Sequence, residues 1–289
     1  MRARSWGSDA NISQPGALAP VVSWGDRIAP GTYAVHSRFR HAVNFVGERV
    51  TVSVVDEGVG NGPVNVVLRD LTVVQESSLS IHDERLLVGG RRFLLVPTYR
   101  WCSRLDLGAA DDRSVRGLVA VSREDMAARA PAGSLAWLLH EDAPVRCGFE
   151  IPCNQEIERG VQLLFGGREA EGVRRLCGTG IGLTPGGDDF LVGHLAARHV
   201  LAWLGIDRFV MPFAEFRRHT PQTTLLSGTA LTMAAEGSFA APVKALVEGL
   251  SRGDGAAVSA HGDRLLRMGA TSGADLLTGM FCTLERALS

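Results

Sequence analysis

The feature that most constrains this chain is a change of hydrophobic period near its middle. From about Tyr33 to Ser122 the apolar residues alternate or run in short β-branched blocks. Val50, Val52 and Val54 alternate with Thr51 and Ser53. Further blocks follow at Pro63–Leu68, Leu71–Val74, Leu86–Val88, Phe93–Val96 and Leu118–Val121. Gly89-Gly90 sits between two of them, as a hairpin turn requires. Short strands at such spacing predict an antiparallel sheet, sandwich or small barrel. From about Arg123 the period becomes helical. Short helices are expected over Arg123–Ala130 and Ser134–His140. Ile157, Val161, Leu164 and Phe165 then share one helical face, as do Val243, Leu246, Val247 and Leu250. Phe190–Leu204 is apolar nearly all round, which predicts a helix buried at the centre of its domain. The expected fold is therefore α+β: a mainly antiparallel β domain over residues 1–150, then an α-helical domain over 151–289. The boundary is expected near Pro144–Pro152. No strand–helix–strand rhythm appears, which disfavours a doubly wound fold.

Charge narrows the function. Lys plus Arg number 30 and Asp plus Glu 31, so the chain is near neutral. That argues against a general nucleic-acid or membrane-surface binder. No uninterrupted apolar run is long enough for a membrane span, and the first residues lack the apolar core of a signal peptide. A cytoplasmic protein is expected. The five cysteines, Cys102, Cys147, Cys153, Cys177 and Cys282, form no CxxC pair and predict no disulfide framework.

The 34 glycines exceed the usual share of about 7 %. Five of them fall in one stretch, Gly178-Thr179-Gly180-Ile181-Gly182-Leu183-Thr184-Pro185-Gly186-Gly187, which ends in Asp188-Asp189 and opens the buried helix. Glycine allows close approach of backbone to a ligand, and a helix start offers unpaired N–H donors. Together they suit a phosphate or carboxylate. A bland alternative is a tight loop with one aspartate as an ordinary cap. The stretch lacks the GK[ST] ending of a phosphate-binding P-loop and the setting of a dinucleotide fingerprint. Two adjacent carboxylates repel a bound phosphate. Either Mg²⁺ lies between Asp188, Asp189 and the phosphate, or the acids face another part of the substrate and accept N–H bonds from an amide or ureido group. Neighbouring helical residues point about 100° apart, so one acid can serve the ligand and the other the fold; Asp189 is the expected ligand residue.

Asp189 is favoured because its surroundings recur. Gly187-Asp188-Asp189-Phe190-Leu191-Val192-Gly193 aligns without gaps to Gly273-Ala274-Asp275-Leu276-Leu277-Thr278-Gly279, after the capping pair Thr271-Ser272. Two similar helix starts would bring Asp189 and Asp275 toward one pocket. Chance similarity of caps is the alternative.

These two motifs resemble the AllH family, a subunit of oxamate carbamoyltransferase, some of whose members also carry a carboxylase label. The family's GLTPSGDDFL pattern corresponds to Gly182-Leu183-Thr184-Pro185-Gly186-Gly187-Asp188-Asp189-Phe190-Leu191, with Gly186 where serine is frequent. Its later SG-x-D-x-L-x-G helix start corresponds to Ser272–Gly279, with Ala274 where a larger aromatic residue is expected. The resemblance implies a subunit of purine-catabolic chemistry that interconverts oxalurate and phosphate with oxamate and carbamoyl phosphate, or a relative acting on another small acid. Carbamoyl transfer needs orientation and charge stabilisation more than a covalent nucleophile. On this reading Asp188, Asp189 and Asp275 are the catalytic candidates. Gly180, Gly182, Thr184, Gly186, Gly187, Thr271, Ser272, Gly273 and Arg38 are the substrate- or phosphate-binding candidates. Asp188 and Asp189 are the candidate Mg²⁺ ligands. The expected partners are a small carbamoyl or carboxylate substrate, phosphate and other subunits of the same enzyme, with no nucleic acid and no membrane. A phosphate-free carboxylase-like enzyme and a non-catalytic anion-binding subunit are the alternatives.

Arg38 and Arg40, within His36–Phe45, suit bidentate carboxylate binding or an exposed strand edge. Thr220, Gln222, Thr223 and Thr224 suit a pocket wall or a helix cap. His194 and His199 lack the spacing and glutamate of HExxH and read as core histidines. Cys147 and Cys153 alone make no zinc site. Cys177, just before the glycine loop, reads as packing. Arg174-Arg175 reads as a solvated helix face.

Overall fold

The computed structural model describes residues 21–48, 50–75, 77–140, 151–206 and 208–289. Nine strands come first: β1 (Ser23–Gly25), β2 (Gly31–Arg38), β3 (Ala42–Val46), β4 (Thr51–Val55), β5 (Asn65–Val67), β6 (Ser78–His82), β7 (Arg85–Val88), β8 (Arg91–Leu94) and β9 (Arg100–Trp101). They form one sheet in the order β8-β7-β6-β2-β3-β4-β5-β1-β9. Its pairings are antiparallel except β4–β5 and β1–β9. The alternation seen in the sequence places Val43, Phe45, Val52, Val54, Leu79, Ile81, Leu86, Val88 and Phe93 in one buried cluster. Gly89 and Gly90 both take positive φ, 62° and 65°, in the two-residue β7–β8 turn. That is the twist-matching conformation that favours glycine in hairpins.

Two expected strands are absent. Leu71–Val74 is a turn, because the Asp70 carboxylate accepts from both the N–H and the hydroxyl of Thr72, and Val74 N–H bonds Leu71 C=O. Such local side-chain bonding competes with a sheet ladder. Leu118–Val121 lies inside helix α1 (Asp112–Arg129), which starts before the expected Arg123. Asp111 caps it by accepting from Ser114 N–H, and Val115, Val119 and Met126 form its buried stripe. Helical spacing outweighs the short apolar run, and Val121 is left 70 % exposed. Ser134–His140 contains a short 3-10 helix, Leu135–Leu139.

The helices continue with α2 (Ile151–Phe165), α3 (Glu169–Leu176), α4 (Gly186–Trp203), α5 (Phe213–Phe216), α6 (Leu225–Ala235), α7 (Ala241–Arg252), α8 (Gly255–Leu266) and α9 (Ser272–Leu288). Their apolar faces make a second core, which also takes in Val115 and Val119 of α1 and Leu135 and Leu139. The segment 144–150, within the expected boundary and including Cys147, lies outside the described residues. As expected, α4 is central: Phe190, Leu191, Leu195, Ala196, Ala197 and Val200 are fully buried. It shares the centre with α9, its most extensive partner. Helices α2 and α3 pair just before the glycine loop, and α7 and α8 pair just before α9. The short sequence repeat therefore extends to two similar helix pairs, each followed by a long buried helix.

Candidate functional site

The glycine loop connects α3 to α4. Gly180 has φ 136°, and a Cβ there would stand 2.5 Å from Gly186 N, so the loop folds back on its own helix start. Gly187 N–H donates to Thr179 C=O at 2.9 Å. Pro185 precedes α4 and Thr271 precedes α9; neither helix has a side-chain cap bond. Asp188 and Asp189 N–H bond Pro185 C=O, and Gly273 and Asp275 N–H bond Met268 and Thr271 C=O, so these starts offer chiefly their positive dipole ends to another partner.

The two starts meet. Thr184 Oγ1 and Ser272 Oγ are 2.8 Å apart and share a hydrogen bond. A Cβ on Gly186 would lie 3.2 Å from Asp275 Oδ2. The resulting cavity measures about 1130 Å³. It is walled by Gly180, Ile181, Gly182, Leu183, Thr184 and Gly186 from the loop and by Gly269–Ser272 and Asp275 from the second start. Cys153, Asn154 and Ile157 of α2 and Ala132, Gly133 and Leu135 complete the helical wall, with Leu226 of α6. Phe39 and Asn44 come from the sheet half, so both halves contribute.

The three acids divide the work. Asp188 is 1 % exposed, and its oxygens accept from Gly178 N–H at 2.8 Å and from the Thr223 hydroxyl. It fastens the ends of the glycine loop to the segment before α6. Burial raises its pKa, opposed by Thr223 and by Gly178 N–H. Asp275 is 3 % exposed; its Oδ1 accepts from Leu135 N–H at 2.6 Å, joining α9 to the 3-10 turn. Asp189 differs. Its Oδ2 is sealed from solvent and has no hydrogen-bond partner. Burial pushes its carboxyl well above the usual carboxylate range, the charges of Asp275 and Asp188 push the same way, and the hydroxyls of Ser272 and Thr184 oppose them. Asp189 thus interacts with the two hydroxyls that line the cavity. Of the two adjacent acids, Asp189 is the one with a buried oxygen that has no partner, while Asp188 is bonded to neighbouring elements.

The Asp188–Asp189 pair gains no third acidic, His or Cys group in reach of a shared ion: among the described residues no such cluster of three exists. Arg38 is not brought to the site. Its guanidinium donates to the backbone carbonyls of Val74 and Gln75, bracing the turn that replaces the expected strand. Of its segment, Phe39 and Asn44 reach the cavity instead. Thr224 caps α6 and donates to Leu183 C=O at 2.7 Å. Thr223 holds Asp188, so this hydroxyl-rich run secures the loop from outside. Gly187 and Gly273 are packing glycines, each closing on the last turn of the preceding helix, at Leu176 C=O and Leu265 C=O. His194 bonds Thr283 at 2.9 Å inside the core, and burial holds its pKa well down. His199 stacks on Phe213. Cys177 is buried, and burial beside Asp188 pushes its thiol up to about 12. Sequence reasoning missed Asn154. It lines the cavity, and its amide nitrogen is sealed from solvent with no hydrogen-bond partner. One polar residue at the start of an amphipathic helix carries no signal until the cavity is known.

Fold and site together define an α+β protein with a cavity built on two converging helix starts that lack side-chain caps, both preceded by glycine and threonine. Residues 176–284 match the family model described as oxamate carbamoyltransferase subunit AllH. That segment, which holds both motifs, is similar to this family. No curated protein and no solved structure matches the chain. Among the described residues no helix is long and apolar enough to cross a membrane.

Proposed function

We propose that this chain is a subunit of a carbamoyl-transferring enzyme and binds a small ureido or carbamoyl acid and phosphate in the cavity between α4 and α9. The observation that carries this reading is the Thr184–Ser272 hydrogen bond, which joins two uncapped helix starts at one cavity. The positive dipole ends of these starts suit phosphate or the carbonyl oxygen that gains charge during transfer. The AllH match supports the carbamoyl chemistry and, through its description as a subunit, the multi-chain assembly.

Phosphate attack on a ureido carbonyl expels an amide nitrogen, which needs a proton. Asp189 is suited to supply it, because burial and the neighbouring acids raise its carboxyl's pKa and so favour the protonated form. The hydroxyls of Ser272 and Thr184, which lower its pKa and line the cavity, would pass the proton on. Asp188 acts as a positioning residue, since its oxygens hold Gly178 and Thr223, and Asp275 anchors the 3-10 turn through Leu135 N–H while lining the cavity.

The test has two arms. The first is the thermal shift of wild type and Asp189→Asn with phosphate or carbamoyl phosphate, each with and without Mg²⁺. Ligand at about 100 times its Kd stabilises by about 2.7 kcal/mol. The second is carbamoyl phosphate formation from oxalurate and phosphate, by the chain alone and with the products of its neighbouring genes. Stabilisation of the wild type, with turnover that falls in the variant, is the expected result. Absence of both binding and turnover in the full assembly would refute the reading.

A further inference from the structure

We propose that Arg40 is a specificity-determining residue: its charge at the cavity mouth draws in and holds the anionic ligand. The proposal rests on the reading of this cavity as the site of a small anion, and it names the residue that selects for one. Its first support is the position of Arg40. The segment Phe39-Arg40-His41 joins β2 to β3, and Phe39 N–H donates to Ala42 C=O at 2.8 Å beside the tip. Two residues of this hairpin, Phe39 and Asn44, line the cavity. Phe39 is also 56 % exposed, so the tip stands where the cavity meets solvent. Arg40 is the next residue, about 3.8 Å along the chain. A surface charge acts over about 8 Å at physiological ionic strength, so its field covers the adjacent mouth.

The second support is what its neighbours do. Asn44 donates to the Ser37 hydroxyl at 3.0 Å and accepts from the Ser53 hydroxyl at 2.8 Å. His36 bonds the same Ser37 hydroxyl. Arg38 holds the carbonyls of Val74 and Gln75. His41 Nδ1 lies 2.6 Å from Asp56 Oδ2, and Asp56 also accepts from the N–H groups of Gly58 and Val59. From His36 to Asn44, then, every polar side chain but one is bonded within the sheet half and its loops. Arg40 is the exception: it is exposed, with no hydrogen bond or ion pair to another described residue. The hairpin is braced on both sides of a free guanidinium.

The third support is charge balance. The cavity is lined by the carboxyl group of Asp275 and, among the described residues, by no Lys or Arg. Each helix start contributes only about half a positive charge. Phosphate and a ureido or carbamoyl acid are anions, so a full positive charge beside the cavity is needed to offset Asp275. The guanidinium of Arg40 supplies one from the residue next to the wall, in a form that pairs with carboxylate and phosphate oxygens alike. A charge at the rim of a site acts mainly on encounter and on salt dependence, which gives the proposal a signature that a folding role lacks.

Titration calorimetry of the full chain with phosphate and with carbamoyl phosphate, in about 10 mM and about 1 M NaCl, tests the proposal. In low salt Arg40→Gln should weaken both ligands about threefold and Arg40→Glu about tenfold. Both differences should vanish in 1 M salt, where a charge acts over only about 3 Å. Melting temperatures should not change, because Arg40 has no partner to lose. Arg113→Gln removes the same charge at the start of α1, whose 18 residues put about 27 Å between it and the Ala132-Gly133 wall; it should leave both affinities unchanged. Equal affinities of wild type, Arg40→Gln and Arg40→Glu in low salt would overturn the role of Arg40 and leave the anion site standing. An equal loss in Arg113→Gln would also overturn it, since net charge rather than place would then be the cause. No binding of either ligand by the wild type would overturn both this proposal and the reading it rests on.

Discussion

Gly193 and Gly279 occupy reciprocal positions where α4 crosses α9. A Cβ on Gly193 would stand 1.9 Å from Leu276 C=O, and one on Gly279 would stand 2.0 Å from Phe190 C=O. Phe190 and Leu276 are themselves equivalent in the short sequence repeat, so the two helices grip each other by the same device. This close crossing is what lets their N-terminal ends share one cavity.

Gly193→Ala and Gly279→Ala should each destabilise the chain by about 2–3 kcal/mol, since the obstructing atoms are backbone and cannot rotate away. The helix-propensity gain of about 1 kcal/mol offsets only part of this. Gly117→Ala in α1, exposed and with nothing within 4 Å of the new Cβ, should instead stabilise by about 0.5–1 kcal/mol. Urea denaturation of the three variants measures both signs.

Asp189→Asn should raise the melting temperature at neutral pH while removing function. The carboxyl's folded pKa is raised above its usual 3.8. Its contribution to stability is thus full below that unfolded value and is lost as pH rises through the folded pKa. The asparagine cannot ionise, so the gap between variant and wild type should open as pH climbs above about 4 and then level off. Melting curves across that range follow it. A constant gap would mean that the carboxyl keeps an ordinary pKa.

The Thr184–Ser272 bond should appear as coupling in a double-mutant cycle. With Thr184→Val and Ser272→Ala, the interaction term should be about 0.5–1.5 kcal/mol. Phosphate binding should weaken in either single variant, because both hydroxyls line the cavity.

Cys177 should resist alkylation in the folded protein where exposed Cys102 reacts. The thiolate is the nucleophile, and burial beside Asp188 holds the Cys177 thiol at about 12. Iodoacetamide labelling followed by peptide mass spectrometry near pH 8 distinguishes the two. Rapid labelling of Cys177 without unfolding would contradict its place in the core.

The α+β division, the buried α4, the glycine-loop motif and the recurring helix start were all legible in the sequence, because each is a local pattern of period, glycine or capping residues. The Leu71–Val74 and Leu118–Val121 blocks misled for the same reason. A run of four apolar residues reads alike in a strand, a turn or a helix until the Asp70 and Asp111 side chains commit the backbone. Which aspartate is left with unmet bonding capacity was decided by tertiary structure, since it depends on Thr223 and Gly178 reaching Asp188 and on Leu135 N–H reaching Asp275. The exclusion of Arg38 and the arrival of Asn154 were decided the same way. Sequence sets the chemistry that a residue can offer. Packing between segments far apart in the chain determines which of those groups is spent on the fold and which is left for a ligand.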